Sequence, residues 1–147
     1  MSRPSPGRQP ATRPMLLART LGNWLNLSTP LGLSLALAGG ARVRRGPRGL
    51  WLADGYRWRY PDGGAFTIGN VISTHHPDID ALFQRRDGLL AHEESHAWQW
   101  TMCAGLPFLP LYGAMTAWSL LRHGNLATGN FFECQAGLAD GGYHRHC

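Results

Sequence analysis

One stretch constrains this chain more than any other: Leu89-Leu90-Ala91-His92-Glu93-Glu94-Ser95-His96-Ala97-Trp98-Gln99-Trp100. Its apolar spacing predicts a helix. On an α-helix, residues four apart are turned by about 40° and raised by about 6 Å, so the imidazoles of His92 and His96 can reach one metal ion from one face. Glu93 stands about 100° from His92 and about 60° from His96 on that wheel, beside such an ion. A general base belongs there. Zinc lowers the pKa of a bound water to about 7, and a neighbouring carboxylate can take its proton as it attacks a carbonyl. Glu94 falls on the opposite face with Leu90, Ala97 and Thr101, which gives it a structural or solvated role. Cys103 shares the histidine face but lies about 16 Å along the axis from His92, too far to join the same ion. The remaining glutamate of the chain is Glu133, placed where a third ligand could come from.

The chain of 147 residues is one domain's worth, with 16% charged and 44% hydrophobic residues. Residues 1–14, rich in Pro, Ser, Gly and Arg, are expected to be disordered, leaving 15–147 as a single domain. Leu16, Leu17, Leu21, Trp24 and Leu25 recur at helical spacing, and an apolar segment, Leu31 to Ala38, follows Thr29-Pro30 and closes at Gly39-Gly40. No residue between Arg19 and Arg42 is charged, but Asn23, Asn26, Ser28, Pro30 and Ser34 interrupt the run and make it a poor spanning helix. Ala36-Leu37-Ala38 could serve a signal peptidase, although the approach is long for a leader. A helix packed on the domain or lying at a membrane surface is the expectation.

All fourteen basic residues are arginine, and the formal charge is +5. Arg42, Arg44, Arg45 and Arg48, with Arg57 and Arg59, offer a basic surface for phosphate or anionic lipid. No helix-turn-helix, zinc ribbon or aromatic strand motif accompanies them, so nucleic acid is not the expected partner. Cys103, Cys134 and Cys147 form no C-x-x-C pair and no even framework, which suggests no disulfide and a reducing, cytoplasmic compartment.

After the basic turn 41–49, Leu50–Ala53, Tyr56–Tyr60 and Ala65–Ser73 read as strands of a small antiparallel sheet. His75 and His76 end it in a surface or capping role. Ile79 to Arg86 forms a short helical turn. Asp87 is placed to cap the central helix, which Gly105-Leu106-Pro107 closes. Phe108 to Leu121 is apolar on nearly every side, and no residue from Ala97 to Leu121 is charged; a buried helix is the default, a shallow membrane hairpin the alternative. Asn130 to Asp140 then forms a helix, with the chain from His96 long enough for one helix out and a second back.

H-E-x-x-H followed by a helix carrying N-x-x-E-x-x-A (Asn130, Glu133, Ala136) resembles the gluzincin class of zincin metallopeptidases. The setting Leu-Ala-His-Glu-x-x-His-x-x-Gln and the closing Gly141-Gly142-Tyr143 also resemble small bacterial proteins of this type. The similarity runs from about Thr67 to Tyr143, and its strongly specific part is His92 to His96. It implies a minimal zincin-like α+β domain: a small antiparallel sheet, an active-site helix and two further helices. It implies Zn2+ held by His92, His96 and Glu133, Glu93 as general base, and the strand around Phe66 to Ile72 as the edge that aligns a peptide or protein substrate. The sequence departs from the pattern at Gly137, where thermolysin-like enzymes carry an aspartate that orients a ligand histidine; Asp140 is the nearest substitute. Tyr112, His123, Tyr143, His144 and His146 are the candidates for stabilising an oxyanion. Two readings therefore stand side by side. One is a zinc-dependent peptidase; the other is a non-catalytic zinc-binding domain that engages a peptide or lies peripherally on a membrane. The oligomeric state is left open.

Overall fold

The structure is a computed structural model and describes residues 10–59, 64–138, 140 and 141. Among these the elements are, in chain order, α1 (Arg13–Leu25), α2 (Ser28–Ala38), β1 (Arg42–Arg45), β2 (Trp51–Asp54), β3 (Phe66–Ile68), β4 (Val71–Ser73), α3 (Ile79–Arg85), α4 (Leu89–Met102), α5 (Phe108–His123) and α6 (Phe131–Ala136). The α+β class holds. Residues 1–9 of the expected disordered arm lie outside the described residues, and its last part is helical: Pro14, free to sit in a first turn, opens α1 already at Arg13.

The sheet is mixed rather than antiparallel, in the order β1-β2-β4-β3. β1 pairs antiparallel with β2, β2 parallel with β4, and β3 antiparallel with β4. Three expectations fail locally. The basic turn contains a strand, Arg42–Arg45, whose charged side chains suit an exposed edge. Ala65–Ser73 is not one strand but a hairpin, with Ile68 facing Val71 across Gly69-Asn70. Gly69 has φ 61, the left-handed value that tight hairpin turns require. The fully buried arm β4 takes the interior position, and residues 56–59 carry no strand.

Alternation along β2 and β4 assigns the two faces of the sheet. Ala53 and Val71 pack towards Ala36 of α2, while Leu52 and Ile72 pack with Ile79 of α3 and Ala97 of α4. A third cluster, Trp100, Phe108 and Phe132, joins α4, α5 and α6.

The polar residues that interrupt the N-terminal apolar run are staples. Asn23 is fully buried and donates to Asn70 Oδ1 at 3.0 Å and to the Ala97 carbonyl at 2.9 Å, while Thr101 donates back to Asn23 Oδ1 at 2.8 Å. They tie α1 to α4 and to the β3–β4 turn. Arg19 completes the attachment: its buried guanidinium donates to Glu94 at 2.6 Å, and Arg48 reaches the same carboxylate at 3.0 Å. Burial lowers the Arg19 pKa, and the Glu94 charge and hydrogen bond work against that.

Three further expectations change. α4 is capped by Gly88 in a left-handed conformation, without a side-chain bond from Asp87. α5 is not a buried helix, since Phe108 and Ser119 are its buried residues; only one stripe of it meets a partner. Cys134 is disulfide-bonded, whereas Cys103 is a free thiol. Spacing along the chain does not report proximity of cysteines in the fold, and the argument for a reducing compartment loses its footing. No helix among the described residues is long and apolar enough to cross a membrane.

Candidate metal centre

α4 presents His92 and His96 on one face, one turn apart, and α6 brings Glu133 against them. Asn130 makes this possible locally, because its side chain accepts from the Phe132 amide and starts α6 three residues before Glu133. His92 Nε2 lies 3.2 Å from His96 Nε2 and 3.3 Å from Glu133 Oε2, and His96 Nε2 lies 3.5 Å from Glu133 Oε1. With one ligand atom taken from each residue, the three lie within 4.8 Å of one another, and all three residues are buried. This group could hold a metal ion.

The bonds behind the ring assign its protons. His92 Nδ1 is 2.9 Å from the Gly137 carbonyl, which can only accept, so Nδ1 carries the hydrogen. His96 Nδ1 is 2.8 Å from Gln99 Oε1. That amide is oriented by its other end, because Gln99 Nε2 donates to the Phe132 carbonyl at 2.9 Å and to Gln135 Oε1 at 3.0 Å. His96 Nδ1 is therefore also a donor. In their neutral forms the two rings turn an unprotonated Nε2 toward Glu133, and Glu133 Oε2, 3.3 Å from His92 Nε2, is then buried without a hydrogen-bond partner. Three electron-pair donors converge where only a cation relieves them.

A proton is the simplest such cation. Burial lowers the His92 pKa, but the contact with Glu133, the charges of Glu93 and Glu133 and the Gly137 carbonyl outweigh it, and the net shift is upward. Burial likewise raises the Glu133 pKa, and His92, His96 and Tyr112 reverse it to a net lowering.

Glu93 is buried next to this group and accepts from Thr67 Oγ1 at 2.7 Å. Trp100 holds β3 in place for this contact, its Nε1 donating to the Thr67 carbonyl at 2.9 Å. Glu93, both histidines, Glu133, Thr67 and Tyr112 line one cavity of about 300 Å³. Gly141 closes it beside His92: a Cβ there would stand 2.5 Å from the His92 ring. A larger concavity of about 590 Å³ lies on the opposite face of α4 beside Glu94, Ser95 and Trp98.

The structure thus brings together His92, His96, Glu133 and Glu93, and sends Glu94 to the far side with Arg19 and Arg48. The substitute proposed for the missing aspartate is corrected. The carbonyl of Gly137 itself accepts the hydrogen bond from His92 Nδ1, while the Asp140 carboxylate sits against Gly88 and Gly137. Of the oxyanion candidates, Tyr112 is at the site and donates to Glu133 Oε1; His123 is exposed on α5, and Tyr143, His144 and His146 lie outside the described residues. His75 and His76 bond to the Trp58 and Asp78 backbone and stay apart from the cluster. Within Phe66 to Ile72, only β3 is an edge strand; Val71 and Ile72 belong to an inner one. Sequence reasoning missed Thr67 and the Gly137 carbonyl, which no spacing rule exposes. The bond from His96 to Gln99 follows the i to i+3 spacing of a helix and could have been read. The chain matches no protein-family model, no curated protein and no solved structure.

Proposed function

We propose that the buried group is a zinc site and that the protein is a zinc-dependent peptidase with Glu93 as general base. One observation carries the metal reading: two imidazoles with both Nδ1 atoms committed as donors direct free Nε2 atoms at an orphaned carboxylate oxygen. The 3.2 Å between the two Nε2 atoms fits one edge of such a site, while the carboxylate turns a different oxygen to each ring, Oε2 at 3.3 Å from His92 and Oε1 at 3.5 Å from His96. Tetrahedral zinc with bonds of about 2.0–2.1 Å has ligand-to-ligand edges of about 3.3 Å. A two-histidine, one-carboxylate set is one that catalytic zinc uses, with a fourth position left for a reactant; Fe(II) takes the same donors, and metal analysis tells the two apart.

When bound, zinc supplies a Lewis acid and acidifies a water to a pKa of about 7. The protein's residues supply the rest. Thr67 occupies one oxygen of Glu93 and leaves the other to receive a proton from water. Gln99 and the Gly137 carbonyl fix the ring orientations. Tyr112 donates its one proton to Glu133 Oε1 within the same cavity, and would have to turn from that bond to serve a developing oxyanion. β3, alongside the cavity, is the segment against which an extended peptide would lie.

The second reading is a non-catalytic zinc-binding domain. It is favoured by the cavity's size of about 300 Å³, which is at the small end for a binding site. Incubation of the wild type and Glu93→Gln with a peptide library, each with its zinc content measured, separates the two. The expected outcome is zinc in both proteins and cleavage only by the wild type. Zinc in both with cleavage by neither supports the second reading, and zinc in neither removes both.

A further inference from the structure

α5 is strongly apolar and poorly covered. Leu109, Leu111, Trp118, Leu120 and Leu121 are between 49% and 83% exposed. A second exposed set stands at the junction of α1 and α2, at the end of α4 and on the turn after it: Leu25, Leu27, Met102 and Leu106. The two segments abut. Asn26, between the leucines, donates to the Trp100 carbonyl at 3.3 Å, and its backbone oxygen lies 2.8 Å from where Gly105 would carry a Cβ. Leu109 joins this surface to the mouth of the metal-site cavity, whose wall it also lines.

Packing does not explain Leu27. It adopts φ 66, a left-handed conformation that a branched side chain disfavours, and it is 66% exposed. Strain here holds a leucine outward at the tip of an elbow.

The charges on three of the helices that carry this surface have one sign. α1, α2 and α5 contain no acidic residue. Exposed Arg122 in the last turn of α5 lies 5.2 Å over the half-exposed Trp118 ring, whereas exposed Arg13 opens α1 about 18 Å from the elbow. Apolar side chains bordered by tryptophan and arginine form the pattern that lies in a membrane interface, the indole at headgroup depth and the guanidinium reaching lipid phosphate. A symmetric second copy would instead set arginines against arginines. No described helix is long and apolar enough to span a bilayer, so the contact would be peripheral.

We propose that the α1–α2 elbow, the turn after α4 and the outer face of α5 form a docking surface for an anionic lipid bilayer. The surface stands whether or not the buried site hydrolyses anything.

Flotation of the full chain with vesicles tests this, using phosphatidylcholine alone and phosphatidylcholine mixed with phosphatidylglycerol. The wild type is expected to float with the mixed vesicles and much less with the neutral ones. Leu25→Glu combined with Leu106→Glu, both solvent-facing changes, is expected to weaken partitioning by about tenfold per leucine while circular dichroism and zinc content stay as in the wild type. Absence of flotation with mixed vesicles overturns the proposal, as does undiminished flotation of the double variant. Equal binding to both vesicle types overturns the anionic preference. A dimer in solution that the double variant dissociates, with no vesicle binding, assigns the face to a second copy. Zinc content, read on the same samples, reports the buried site separately.

Discussion

His92 carries two opposing demands. Burial disfavours its charge, yet Glu133 and Glu93 raise its pKa above the ordinary 6.5, and Glu133 is lowered below 4.5. In the metal-free protein the His92 contribution to stability is full below its unfolded value and disappears as pH rises through the raised folded value. The Glu133 contribution is full above its unfolded value and is lost as pH falls through the lowered folded one. A metal competes with the His92 proton for Nε2. Zinc affinity, measured by competition with a chromophoric chelator, should therefore rise about tenfold per pH unit up to the His92 pKa and flatten above it. A second test is steric. A Cβ at Gly141 would stand 2.5 Å from His92 Cε1 and 2.9 Å from Nε2, so Gly141→Ala must push the ring aside. An affinity loss of about 10–100-fold is expected in the same assay. The ligand pair was legible in the sequence because i, i+4 spacing on a helix fixes a shared face. Glu133 was suggested by its resemblance to a known pattern. Thr67 and the Gly137 carbonyl were not legible, since they arrive through a strand and a loop whose approach depends on tertiary packing.

At the scale of elements, α4 is held from both sides for different purposes. Its metal-site face meets α6, and its other face is pinned to α1 by Arg19 and Glu94. Glu94→Ala leaves a buried guanidinium short of its carboxylate, and chemical denaturation should register a loss of about 3–5 kcal/mol. Zinc content per folded chain should remain that of the wild type, because Glu94 lies on the far face of the helix. The helices were legible from their apolar period; the role of Arg19 was not, because a charged residue on an amphipathic pattern is ordinarily solvent-facing. α5 misled in the opposite sense. Its apolar residues point all round, which reads as burial, but the neighbours available cover one stripe.

At the scale of the molecule, a sheet with α2 on one face and α3 and α4 on the other sets the cavity beside its β3 edge. Local sequence marked two of the strands but not their partners. The parallel pairing of β2 with β4 depends on which arm of the β3–β4 hairpin is apolar enough for the interior. The central claim is that the fold converges His92, His96 and Glu133 to hold zinc. Elemental mass spectrometry of the purified wild type, Glu93→Gln and His92→Ala tests it most directly. One zinc per chain in the first two and none in His92→Ala is the predicted result; a metal-free wild type, or full zinc in His92→Ala, would contradict it.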